Sequence, residues 1–223
     1  MRIIKLNEQS RANILADLLK RDPNNYSAYE DTVQAIVDDV RARGNEALFE
    51  YTKKFDGAEL SADNIRVTQA EIQEALSQVD PNLLAVMKKS MKNIREYHEK
   101  QKQYSWFDSK PNGTILGQKV TALSSVGVYV PGGKAAYPSS VLMNIIPAEV
   151  AGVEKIVMVT PPGKDGKVNP VTLIAAHLAG ATEVYKVGGA QAIAALAFGT
   201  KSIPRVNKIV GPGNIFVALA KKA

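Results

Sequence analysis

The apolar residues of this chain change their spacing midway, and the change predicts two kinds of structure. Up to about residue 105 they recur at helical intervals. Val33, Ile36, Val37 and Val40 form an i, i+3, i+4, i+7 stripe across residues 31–43, the pattern of an amphipathic helix. Gly44 suits the left-handed residue that ends a helix, and Asn45 is expected to cap a short helix carrying Leu48, Phe49 and Tyr51. Asp56-Gly57 breaks the chain again. Thr68 and Glu71 have the spacing of a capping box, with Ile72, Ala75, Leu76 and Val79 following at helical intervals. Asp80-Pro81 gives a cap residue, then a proline where no backbone N–H is needed. A long helix follows, through Leu84, Met87, Met91, Ile94 and Tyr97.

Beyond residue 105 the spacing becomes that of strands. Residues 114–123 alternate imperfectly, and Val126 to Val130 is a short β-rich run stopped by Pro131-Gly132-Gly133. Residues 139–151 suit a helix that Pro147 must bend or restart. Strands are predicted over 155–160, 183–187 and 208–210. Helices are predicted over 170–178, closed by Gly180, over 191–198, closed by Gly199, and from Asn214 onward. This alternation predicts an α/β fold, a parallel sheet joined by right-handed crossovers, with a boundary near residue 125.

Composition removes several chemistries. Of 223 residues, 45% are apolar and 22% charged, a globular balance. There is no cysteine, which excludes disulfides, thiolate metal sites and cysteine nucleophiles. The two histidines, His98 and His177, are too few for a His-based metal cage. The net charge of +6 is dispersed. Lys88, Lys89, Lys92, Arg95 and Lys100 are interleaved with acids and read as a solvated helix face, so no nucleic-acid partner is expected. Met1 to Lys5 lacks the apolar core of a signal peptide. The apolar run near residues 190–198 is too short to span a bilayer. A soluble cytoplasmic protein with no membrane partner is the expectation.

The chemistry that remains concerns binding. Ligands of open parallel sheets sit beyond the carboxyl ends of the strands. Three glycine-rich turns fall there: Tyr129-Val130-Pro131-Gly132-Gly133, Val187-Gly188-Gly189-Ala190-Gln191 and Val210-Gly211-Pro212-Gly213-Asn214. Each leads toward a helix, whose N-terminus favours anions. Together they point to a nucleotide or another anionic ligand, although each alone is also an ordinary tight connection. The fingerprint G-x-G-x-x-G is incomplete, because Phe216 stands at its third glycine and no acidic residue ends a following strand. A P-loop is absent. Gln191 and Asn214 carry amides and Tyr129 a ring and a hydroxyl, groups that position a ligand more readily than they move protons. Asn214 reads equally as a helix cap. His177 and His98 read as packed or half-exposed helix residues. Glu149 and Glu154 fall near a strand start, the wrong end of the sheet.

These segments carry a resemblance. Ser125 to Gly133, Val187 to Thr200 and Lys208 to Asn214 resemble signature segments of the histidinol dehydrogenases. Val40 to Leu48 and Lys92-Asn93-Ile94 are similar to the family as well. The resemblance implies oxidation of L-histidinol to L-histidine through an aldehyde, with NAD used twice, by zinc-dependent homodimers. It implies that Tyr129, Gln191 and Asn214 contact NAD. It implies a helical segment over 1–125 that is part of a first large domain, then an incomplete Rossmann-like αβα domain over 126–223 that binds NAD. The family's zinc ligands, substrate contacts and acid–base pair follow the Gly-Pro-Gly-Asn segment, so no metal or catalytic residue is assigned here. The chain is therefore expected to be an amino-terminal fragment, inactive alone, with apolar surface exposed in its helical half. Two other readings stay open at this point: a nucleotide-binding module without catalysis, and a structural or interaction remnant.

Overall fold

The computed structural model describes residue 5 and residues 7–19, 26–132 and 136–223, so Gly133 of the first glycine-rich turn lies outside the described residues. Most of the reading of Met1 to Lys5 lies outside them. A first helix, α1 (Glu8–Leu19), precedes α2 (Ser27–Arg43), whose predicted stripe is buried. Helix α3 (Asn45–Asp56) follows with no spare residue between. Gly44, at φ 59°, ends α2 and stands at the cap position of α3. This corrects the expectation for Asn45. It is already helical, and its amide clamps Ser202, donating to Oγ (2.8 Å) and accepting from the backbone N–H (3.2 Å). Helix α3 ends at Gly57 in the left-handed conformation.

Helix α4 (Gln69–Gln78) starts from the predicted capping box, with Thr68 and Glu71 each satisfying the other's backbone N–H. Helix α5 (Pro81–Glu99) is capped by Asp80, whose carboxylate accepts from the N–H of Asn82 at 2.8 Å. Strands β1 (Trp106–Ser109) and β2 (Ile115–Gln118) form an antiparallel hairpin.

The remainder is a parallel sheet of β3 (Ser125–Tyr129), β4 (Lys155–Thr160), β5 (Glu183–Lys186) and β6 (Lys208–Val210). The intervening helices are α6 (Pro138–Val150), α7 (Pro170–Ala179) and α8 (Gly189–Phe198), and α9 (Ile215–Lys222) follows β6. Helix α6 runs through Pro147 rather than restarting. Val141, Leu142, Ile145 and Ile146 are buried and hold it against the sheet despite the missing hydrogen bond. The strand order is β5-β4-β3-β6. The chain therefore steps outward from β3 to β5, then returns to place β6 on the other side of β3. That reversal opens a crevice at the carboxyl ends of β3 and β6, where ligands of such sheets bind.

Both faces of the sheet are covered, as a parallel sheet requires. Val126, Val128, Ile156 and Met158 point into a core with α6 and α7, to which α4 and α5 add Ala75 and Met87. Tyr129, Val157, Val159 and Tyr185 point the other way, into a core with α8 and α9, to which α2 and α3 add Val33, Ile36 and Leu48. The helical half thus contributes to both layers. Residues 65–67 also run antiparallel along the β5 edge, with Val67 donating to Val184 and Lys186 to Ile65. The exposed apolar side chains concentrate on and around the hairpin, in Tyr104, Trp106, Phe107, Ile115, Leu116 and Leu123. Tyr29, Phe55, Leu76, Val86 and Tyr97 are also exposed in the helical half, as expected there. Among the described residues no helix is long and apolar enough to cross a membrane.

Candidate functional site

The crevice holds a cleft of about 790 Å³. Its floor comes from all four strand ends. Tyr129, Pro131 and Gly132 follow β3. Pro161 to Lys164 follow β4, Gly189 to Gln191 open α8, and Asn214 and Phe216 begin α9. Its roof comes from the helical half, with Thr32 and Ile36 of α2 and Phe55 and Asp56 of α3. The three glycine-rich turns meet here, although they do not all end adjacent strands, because β4 lies between β5 and β3. Two glycines serve the approach of the loops to one another. A Cβ at Gly188 would collide with the ring of Pro161. One at Gly211, which has φ 107°, would collide with the backbone oxygen of Tyr129.

The polar groups in the cleft are unusual in what they lack. Gln191 is 1% exposed, and neither its Nε2 nor its Oε1 has a partner among the described residues. A buried amide left this way is unfavourable by roughly 1–3 kcal/mol for each unmade bond. It sits in the first turn of α8, where backbone N–H groups and the helix dipole favour a negative group. Tyr129 is also buried, and its hydroxyl accepts from the N–H of Gly189 at 3.3 Å. Burial, aided by the nearby Asp56 charge, raises its pKa and keeps the phenol protonated. Asn214 proves to be a cap: its Oδ1 accepts from the N–H of Val217 at 3.2 Å. Its amide nitrogen is not used by that cap, so capping and ligand contact are compatible.

Asp56 is the residue that the sequence reading passed over, taking it only for a helix break. Its Oδ2 is buried without a partner among the described residues, and burial pushes its carboxyl up to about 6. A signal was present. Leu48, Thr52 and Asp56 are spaced i, i+4, i+8, and the first two are fully buried. The acid therefore continues an inward-facing row. Phe55, Phe216, Thr32 and Ile36 carried no comparable mark, because their place in the cleft depends on how the helices dock.

The other candidates stand apart. His98 bonds Gln101 through Nδ1 at 2.7 Å and lines a separate hollow of about 840 Å³ beneath the hairpin, near the starts of β3 and β4. His177 is exposed on α7, more so than expected. Glu149 pairs with Arg95 of α5, and Glu154 is exposed just before β4. Among the described residues no group of three or more His, Cys, Asp or Glu could hold a metal ion. The cleft can thus bind a ligand that offers both donors and acceptors and carries an anionic group toward α8.

Known proteins match this chain along most of its length. The family model described as histidinol dehydrogenase matches residues 19–223. A histidinol dehydrogenase of Bacillus subtilis is 60% identical over 191 residues, 86% of this chain and 44% of that protein. One from Halalkalibacterium halodurans is 54% identical over 92% of this chain and 48% of its own length. The crystal structure of histidinol dehydrogenase from Elizabethkingia anophelis superimposes with a TM-score of 0.82 at 38% identity. It covers 87% of this chain and 44% of that one. The chain spans about half the length of these relatives. With its fold and its segments both matched, this chain belongs to the histidinol dehydrogenase family.

Proposed function

We propose that the cleft holds NAD and that this chain carries the cofactor-binding half of an NAD-dependent histidinol dehydrogenase. The whole enzyme would oxidise L-histidinol through histidinaldehyde to L-histidine, the final steps of histidine biosynthesis. The observation that carries the reading is Gln191, an amide 1% exposed and unpartnered at the N-terminus of α8. Such a group is satisfied by a ligand that both donates and accepts. The cleft volume of about 790 Å³ suits a cofactor-sized ligand.

NAD, when bound, supplies the hydride acceptor. The residues of this chain bind and orient it. The N-terminus of α8 would hold the pyrophosphate, Gln191 and the amide nitrogen of Asn214 would hydrogen-bond the dinucleotide, and the Tyr129 hydroxyl would donate into the cleft. Pro131, Pro161 and Phe216 exclude water from one side. Zinc, which the resemblance implies, finds no fitting ligand group among the described residues, and no step is assigned to it. The same reading makes residues 126–223 the Rossmann-like NAD-binding domain and residues 1–125 the helical segment beside it. It makes the enzyme a cytoplasmic homodimer and the 223-residue chain alone inactive on histidinol.

Calorimetric titration of NAD into the chain tests this, with Gln191→Ala and Asn214→Ser alongside. Serine preserves the helix cap and removes only the amide. Binding in the wild type, weakened about tenfold or more in both variants, is the expected result. No binding by the folded wild type overturns the reading.

A further inference from the structure

NAD binding through Tyr129, Gln191 and Asn214 leaves one buried group of the cleft without a task. Asp56 carries a carboxylate oxygen that is out of water and unpartnered among the described residues. Nearby cations are engaged elsewhere: Lys53 pairs with Glu59 at 2.5 Å, and Lys54 lies over the Phe55 ring. Thr52 turns its hydroxyl back to the carbonyl of Leu48. Lys164 lines the same cleft, yet no ion pair joins it to Asp56 among the described residues. An ionised carboxylate only accepts hydrogen bonds, and a donor on a ligand in the cleft would complete it.

We infer that Asp56 accepts hydrogen bonds from a ribose diol of the bound dinucleotide and selects a free 2′-hydroxyl over a 2′-phosphate. The inference rests on the reading that the cleft holds NAD. A vicinal diol presents two O–H donors to the two carboxylate oxygens. A phosphate at the same place brings only acceptors and negative charge against a desolvated carboxylate. In doubly wound sheets an acid at the end of a following strand does this work. The strands that follow the first two glycine turns, β4 and β6, end in Thr160 and Val210 rather than in an acid. Here the acid arrives from the opposite side of the crevice, at the end of a helix that precedes the sheet in sequence. The helical half is then part of cofactor recognition as well as a cover for the core.

The test is a pair of titrations, NAD and NADP, into the wild type, Asp56→Asn and Asp56→Ala at pH 8, with thermal melts of each unliganded protein. The wild type is expected to bind NAD at least about tenfold more tightly than NADP. Asp56→Asn is expected to weaken NAD about tenfold while NADP stays level or improves, so that the preference collapses. Its unliganded melting temperature should rise, because a buried unpaired charge has been removed. A packing role would instead lower the melting temperature and weaken both dinucleotides together. NAD binding by a wild type whose preference survives Asp56→Asn and Asp56→Ala overturns this inference and leaves the NAD site standing. A folded wild type that binds neither dinucleotide overturns both.

Discussion

Two carboxylates from the helical half reach the carboxyl edge of the same sheet, and their treatment is opposite. Glu71, in the first turn of α4, accepts the backbone N–H of Thr68 and pairs at 2.6 Å with Lys186 at the end of β5. Burial alone would raise its pKa, but the Lys186 hydrogen bond and the Thr68 N–H outweigh that and hold it below its ordinary value. Asp56, at the end of α3, has no such partner among the described residues, and burial pushes it up to about 6. One acid is finished by the fold. The other keeps an oxygen unpartnered among the described residues. A protein gains nothing in stability from an orphaned buried charge, and that contrast is what the inferred ligand role of Asp56 rests on.

The largest effect is expected on the finished side. Lys186 has a side chain only 6% exposed, and Lys186→Met leaves Glu71 facing that buried space alone. We expect a loss of about 2–4 kcal/mol in urea unfolding at pH 7. If Lys186→Met were neutral, the claim that this pair is structural would fail.

Asp56→Asn should move stability the other way. Its folded pKa of about 6 stands above the ordinary 3.8, so the native state binds more protons between those values. That contribution is complete below 3.8 and lost as pH rises through 6. Lys164 and Tyr129 are the other titratable groups facing it in the cleft. Discounted for partial solvent exposure, Asp56→Asn should add about 1–2 kcal/mol to the unliganded chain at pH 8 and nothing at pH 3. Glu71 has the reverse sign: its contribution is present above 4.5 and lost as pH falls. Urea midpoints across pH 3 to 8 distinguish the two, and parallel profiles for wild type and Asp56→Asn would remove the distinction.

A smaller effect isolates the cap. Asn214→Ala should lower stability by about 1 kcal/mol, whereas Asn214→Ser should stay within a few tenths. Equal losses in thermal melts would mean that the amide itself, rather than its Oδ1, supports α9. The smallest effect belongs to the hairpin. Trp106 is 57% exposed, and Trp106→Ser should change the unfolding free energy of the monomeric chain by less than about 0.5 kcal/mol.

Much of the fold was legible because its signals are local. The capping box at Thr68, the Asp80-Pro81 start and the strands at 155–160 and 208–210 each follow from a few adjacent residues. The readings that failed depend on what comes from afar. Asn45 looked like a cap because asparagine commonly is one, but Gly44 already serves two helices and Ser202, 157 positions away, claims the amide. For Pro147 a bend or a restart was open, and buried neighbours keep α6 continuous, which excludes the restart. Within the site, the turns that carry Tyr129, Gln191 and Asn214 could be found because glycine beside an amide or a ring at a strand end is a pattern. Asp56 could not be placed that way. The row Leu48, Thr52, Asp56 turns it inward, but that it meets the cleft follows from the docking of α3 against α8.

The side-chain amide of Gln191 gives the most direct test that this cleft is the dinucleotide site. With the chain 15N-labelled and the resonance assigned by its loss in Gln191→Ala, NAD is added stepwise. The account predicts that the Nε2 signals shift and become protected from solvent exchange as the cleft fills. NAD binding that leaves those signals unmoved would place the cofactor elsewhere and contradict it.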